Sequence, residues 1–81
     1  MLPLHPVVSR SIDVVAYDDD AGVLYLRYRD NKAVYAYDDV PEPIVDGLLE
    51  SESKGRYVNE EIKPVYPAQR LQKLPGTKRA S

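Results

Sequence analysis

Val23-Leu24-Tyr25-Leu26-Arg27-Tyr28-Arg29, followed after Asp30-Asn31-Lys32-Ala33 by Val34-Tyr35-Ala36-Tyr37, is the stretch that decides the fold. Side chains of an extended strand alternate between faces, so Leu24, Leu26 and Tyr28 share one face while Tyr25, Arg27 and Arg29 share the other. A two-residue turn at Asn31-Lys32 sets Tyr28 opposite Tyr35, Leu26 opposite Tyr37, Arg29 opposite Val34 and Arg27 opposite Ala36. Tyr35 and Tyr37 then point into a core with Leu26. A slip of one residue sends both tyrosines and both leucines to the wrong face, so the pairing is strongly specified.

Toward the N-terminus, residues 7–17 are rich in β-branched side chains and partly alternate, which predicts a first strand. The alternation slips between Ile12 and Val15, where a bulge fits. Asp18-Asp19-Asp20-Ala21-Gly22 supplies turn formers and a Gly suited to a positive φ. Toward the C-terminus, Asp38-Asp39-Val40-Pro41-Glu42 carries helix-start chemistry, with Asp39 as an acidic cap and Pro in the first turn. Ile44, Val45, Leu48 and Leu49 form an apolar stripe that lays this helix across the core face of the sheet. Ser51 or Ser53 caps a second short helix running to about Lys63, with Tyr57, Val58 and Ile62 inward, until Pro64 stops it. The expected fold is α+β: a three-stranded antiparallel meander followed by two short helices on one face, β-β-β-α-α. Residues 1–6 read as an arm, 7–66 as the domain, and 67–81 as a basic, at least partly disordered tail in which residues 67–74 can form a helical turn or two.

Eighty-one residues make one domain, and one of that size buries only roughly 60% of its unfolded surface. With 43% hydrophobic and 30% charged residues the chain is expected to fold. Cysteine is absent, which excludes a disulfide framework, thiolate metal sites and a thiol nucleophile. There is no Phe or Trp, so seven tyrosines supply every aromatic contact. No apolar run approaches the ~20 residues of a membrane span, and residues 1–6 lack signal-peptide character; a cytoplasmic location and no membrane partner are the expectation. Residues 1–63 hold seven Lys/Arg against thirteen Asp/Glu, whereas Arg70, Lys73, Lys78 and Arg79 follow with no acid.

In order and spacing, several fragments resemble the KTSC domain, a family found alone in bacterial and phage proteins and at the C-terminus of some lysyl-tRNA synthetases. They are Ser11-Ile12, Val15-Ala16-Tyr17-Asp18, Leu24-x-Leu26-x-Tyr28, Tyr35-Ala36-Tyr37, Val40-Pro41, and Ser53-x-Gly55-x-Tyr57-Val58-Asn59 leading to Ile62. Tyr35, Tyr37, Ser53, Gly55 and Asn59 are thereby marked as family-motif positions. The chain departs from the family's usual residues at Lys32 and Ala16, where the family has Gly, and at Tyr28, where it has Phe. The resemblance implies no mechanism, and RNA binding has been suggested for the family partly because of the synthetase context.

Two functions remain open. The first is an RNA-binding module using Tyr25, Arg27, Arg29 and Lys32, an aromatic and cations on the outer face, with Arg70 and Lys73 of the tail. The acidic body opposes this by repelling phosphate. The second is a protein-interaction or homodimerising module without a nucleic-acid role. Base stacking by Tyr35 and Tyr37 is conceivable, but their register favours the core. Asp18-Asp19-Asp20 lacks calcium-loop spacing and reads as a solvated turn. His5, the single His, has no second ligand, and Ser53-Lys54-Gly55 is neither a phosphate loop nor a nucleophile elbow. No catalytic constellation, metal site or cofactor is expected.

Overall fold

The alternation places every central side chain on its expected face, but the strands pair two residues away from the two-residue-turn register. In a computed structural model that describes residues 4–6 (as backbone), 11–30 and 32–72, Leu26 faces Tyr35, Leu24 faces Tyr37, Tyr25 faces Ala36 and Arg27 faces Val34. The reason lies at the turn. The Tyr28 amide donates to the Ala33 carbonyl at 2.8 Å, so Tyr28 rather than Asp30 pairs with Ala33, while the Arg29 amide faces the preceding strand and donates to the Ser11 carbonyl at 2.7 Å. Lys32, just before Ala33, takes the left-handed region at φ 57°. Because the side-chain period is two, the shift leaves Leu24, Leu26, Tyr35 and Tyr37 on one face.

The fold is α+β. Elements run β1 (Leu4–Pro6), β2 (Ile12–Asp18), β3 (Val23–Tyr28), β4 (Val34–Tyr37), α1 (Glu42–Glu50), α2 (Lys54–Tyr57), a π-helical turn (Val58–Ile62) and β5 (Ala68–Leu71). All strands form one antiparallel sheet in chain order. The expected meander is therefore its centre, with a short strand added at each edge. Residues 4–6 pair with β2 rather than hanging as an arm. Residues 68–71, read as a helical turn, instead pair with β4, and the Asp38 amide bonds the Pro67 carbonyl at 3.1 Å to continue the ladder. The free edge of β4 offers hydrogen bonds that a short Pro-flanked helix cannot match. The remainder of the expected basic tail, residues 73–81, lies outside the described residues.

The bulge forms where the alternation slips, with a register shift between Ile12 and Val14. In the β2–β3 turn, the Asp18 carboxylate accepts from the amides of Asp20 and Ala21 at 3.1 and 3.2 Å, and Gly22 takes φ 71°. Self-capping of this kind gathers the three acids without needing an ion. Helix α1 begins two residues later than its acidic cap suggested: Asp39 is left-handed at φ 59°, and extended Pro41 is the N-cap, without a side-chain cap bond. The Ser51 hydroxyl donates to the Leu48 carbonyl at 2.8 Å and closes the helix end. Ser53 caps α2 by its backbone conformation, its carbonyl accepting from the Tyr57 amide, with no side-chain cap bond.

The core lies between the sheet face and the helices. Ile12, Val15, Leu24, Leu26 and Tyr37 from the sheet meet Val45 and Leu48 of α1 and Val58 and Ile62 of the π turn. Tyr57 ties the helices together by donating to the Ile44 carbonyl at 2.9 Å. Its hydroxyl lies directly where a Cβ on Gly47 would project.

Gly47→Ala is therefore expected to lower stability in urea denaturation. The helix-propensity gain of about 1 kcal/mol is outweighed by overpacking of about 1–3 kcal/mol. In a Tyr57→Phe background the Gly47→Ala loss should shrink, because the first clashing atom is gone; an undiminished loss would contradict this account.

Candidate functional site

At one end of the core the helices and the sheet do not close. Between them lies a cleft of about 700 Å³. The sheet contributes Tyr28, Tyr35, Tyr37 and Ala68, the preceding and connecting segments Ser11, Asp30, Ala33, Tyr66 and Pro67, and the second helical segment, its C-cap included, Gly55, Asn59 and Lys63. Tyr35 stands edge-on to Tyr28, ring centroids 5.6 Å apart at 80°. They are diagonal rather than direct partners across the strands, a consequence of the observed register.

The tyrosines are graded by depth. Tyr37 is 1% exposed and forms the floor, while Tyr28, Tyr35 and Tyr66 are partly buried around it. Tyr37 hydrogen-bonds the Tyr28 hydroxyl, and burial pushes both phenols above their ordinary pKa. The hydroxyl that Tyr28 adds where the family usually has Phe thus has a partner. Gly55 lets the helix approach, since a Cβ there would stand 2.9 Å from Ser11 Oγ.

The outer-face stripe assembles differently. Tyr25 and Arg27 share the face opposite the cleft, but Arg29 has left the strand for the loop, where it is exposed and engaged in an interaction of its own. Tyr25 packs on a second small apolar cluster of Val14, Val34 and Leu71, so this face is not simply a solvated surface. The cations there face an acid. The carboxylate of Asp13, displaced by the bulge, accepts from Arg27 Nε and Nη2 at 2.9 and 3.3 Å and from Lys32 Nζ at 3.0 Å. Arg70 is opposite Tyr35 on β5, hence on the cleft's face. Lys73 lies outside the described residues.

Among the family-motif positions, Tyr35, Tyr37, Gly55 and Asn59 all line the cleft, and Ser53 does not. The KTSC domain model matches residues 8–66. The chain belongs to the KTSC domain family. A Tsukamurella paurometabola protein is 40% identical over 65 residues, spanning 80% of this chain and 96% of that one. An uncharacterized Stutzerimonas stutzeri protein is 36% identical over 58 residues, 72% of this chain and 80% of that one. The crystal structure of a KTSC domain protein from Yersinia pestis aligns at TM-score 0.81 and 28% identity, covering 88% of this chain and 99% of that one.

In this KTSC domain the departures are accommodated locally. Lys32 holds the left-handed backbone that suits a Gly, and Ala16 is wholly buried opposite Tyr25. Asp30, Lys63 and Tyr66 were not singled out from the sequence as site residues. The spacing of Gly55, Asn59 and Lys63, each four apart, is the one signal that joins Lys63 to the motif; Asp30 and Tyr66 reach the cleft only through tertiary packing. Among the described residues, no helix is long and apolar enough to cross a membrane.

The Arg27 hydrogen bond, more than any other influence, holds the Asp13 carboxyl below its ordinary pKa, with Lys32 adding to it against the opposing effect of burial. A depressed folded value stabilises the fold above the unfolded pKa of about 3.9 and is lost as pH falls through the folded value. Asp13→Asn should thus be less stable than the parent at neutral pH, with the difference narrowing below about pH 4 in denaturation curves. A gap that persists in acid would assign the loss to packing alone.

Proposed function

We propose that this KTSC domain is a small, non-catalytic binding module that takes a base of single-stranded nucleic acid, RNA above all, into the tyrosine cleft. The observation that carries it is the set of partly buried rings, Tyr28, Tyr35 and Tyr66, around about 700 Å³ of space with polar groups beside them. That volume is in the range of small-ligand sites. Unstacked bases are commonly held by aromatic faces and read along their edges. Lys63 in the lining and Arg70 on the same face are placed to meet a phosphate, whereas Arg27 and Lys32 are occupied by Asp13. The site therefore moves from the outer stripe to the opposite face.

Two features support a role without catalysis. The lining holds no His, and its deepest phenol, Tyr37, is pushed away from neutral pH and so is poorly matched to proton transfer. The second reading, a protein-interaction module, draws on β5: its Ala68, Gln69 and Arg70 are exposed at the sheet edge, where an extended partner strand can add.

Fluorescence anisotropy with short single-stranded RNAs tests the first reading. Tyr35→Ala should weaken binding by about 5- to 100-fold, the loss of one stacking contact, while Arg27→Gln changes it less than about twofold. With two cations engaged, the slope of log affinity against log salt should be shallow, about −1.4. No binding at about 50 mM salt rejects the nucleic-acid reading.

A further inference from the structure

The second helical segment lines the cleft at three positions, Gly55, Asn59 and Lys63, each four residues apart. In a regular α-helix, four residues overshoot a full turn by about 40°, so a stripe of that spacing drifts off a groove. Here the turn widens instead. The Lys63 amide donates to the Val58 carbonyl at 2.8 Å, five residues back, within the π-helical turn Val58–Ile62. A wider turn carries more residues per revolution, so the drift is reduced while Val58 and Ile62 stay fully buried beneath it. Turns of this kind are rare and are found frequently at functional sites.

The side chain aimed this way is Asn59. Its amide has no hydrogen-bond or ion-pair partner among the described residues, although it lines the cleft beside the tyrosines. A side-chain amide presents a donor and an acceptor next to each other, the complement of a base edge such as that of adenine. The Gly55 contact with Ser11 seats this segment against the sheet and so sets how far Asn59 reaches into the cleft.

We propose that Asn59 is the specificity-determining residue of the cleft, reading the donor–acceptor edge of the base that the tyrosines stack. This rests on the reading of the cleft as a nucleobase site. Tyrosine stacking tolerates any base, so discrimination must come from a hydrogen-bonding group.

The test is an NMR titration of the ¹⁵N-labelled protein with short oligoadenylate and with the matching oligomer of purine riboside, which lacks the exocyclic amine. With oligoadenylate, the Asn59 side-chain NH₂ signals should shift together with the backbone signals of Tyr35 and Tyr66. Oligoadenylate should bind the parent more tightly than the analogue, and Asn59→Ala should lose about 5- to 100-fold in oligoadenylate affinity and erase the preference. Asn59 is exposed, so an unchanged urea midpoint is expected for the variant. If oligoadenylate shifts Tyr35 and Tyr66 but the variant binds it equally well, the role of Asn59 is overturned and the cleft reading stands. If neither oligomer perturbs the cleft signals, both are overturned.

Discussion

The Tyr28 amide donates to the Ala33 carbonyl at 2.8 Å, and the hairpin register on which the cleft is built goes with that bond. It makes Tyr28 and Ala33 a pair of the hairpin, so the connection between them is longer than a two-residue turn. β4 is thereby drawn back until Tyr35 stands diagonal to Tyr28 instead of across from it. With direct pairing of the two rings the floor of the cleft would be a different surface. On the other side of β3 the Arg29 amide donates to the Ser11 carbonyl at 2.7 Å, and Ser11 in turn lies against Gly55 of the second helical segment.

Charge is organised around the bulge in β2. By interrupting the alternation, it frees Asp13 from the strand's face pattern and leaves its carboxylate, 11% exposed, between Arg27 and Lys32. The triad clasps the start of β2 to β3 and to the loop, which keeps the left-handed Lys32 in place. It also pairs two cations with an acid, although the Lys32 side chain stays 64% exposed. An acidic body that pairs Arg27 and Lys32 internally attracts polyanions weakly, so the proposed nucleic-acid reading leans on stacking and hydrogen bonds more than on phosphate contacts.

Much of the fold was legible because its signals are local. Leu24, Leu26 and Tyr28 alternate, the β2 pattern slips at the point where the bulge occurs, and the α1 stripe buries Val45 and Leu48 as its spacing required. The capping signal misled at Asp39, because the left-handed turn ending β4 needed that residue and left extended Pro41 to open the helix. The site was legible only as a set of family-motif positions. Tyr35 and Tyr37 share the core face as expected, yet nothing in the chain shows that the core ends at Tyr35 and opens beside it. The Tyr25–Arg27–Arg29 stripe was sound as alternation and incomplete as a surface, since neither Asp13 as a partner nor Leu71 as a neighbour can be inferred from strand spacing.

By itself the sequence determined which side chains share a face and where helices can run, since both follow from the fixed geometry of two residues per pleat and 3.6 per turn. Register, the edge strands β1 and β5, the pairing of Asp13 and the opening of the cleft were decided by tertiary structure. Each of these depends on which backbone or charged group, distant in the chain, reaches an unsatisfied partner first at lowest cost, and that competition leaves no period for a single sequence to display.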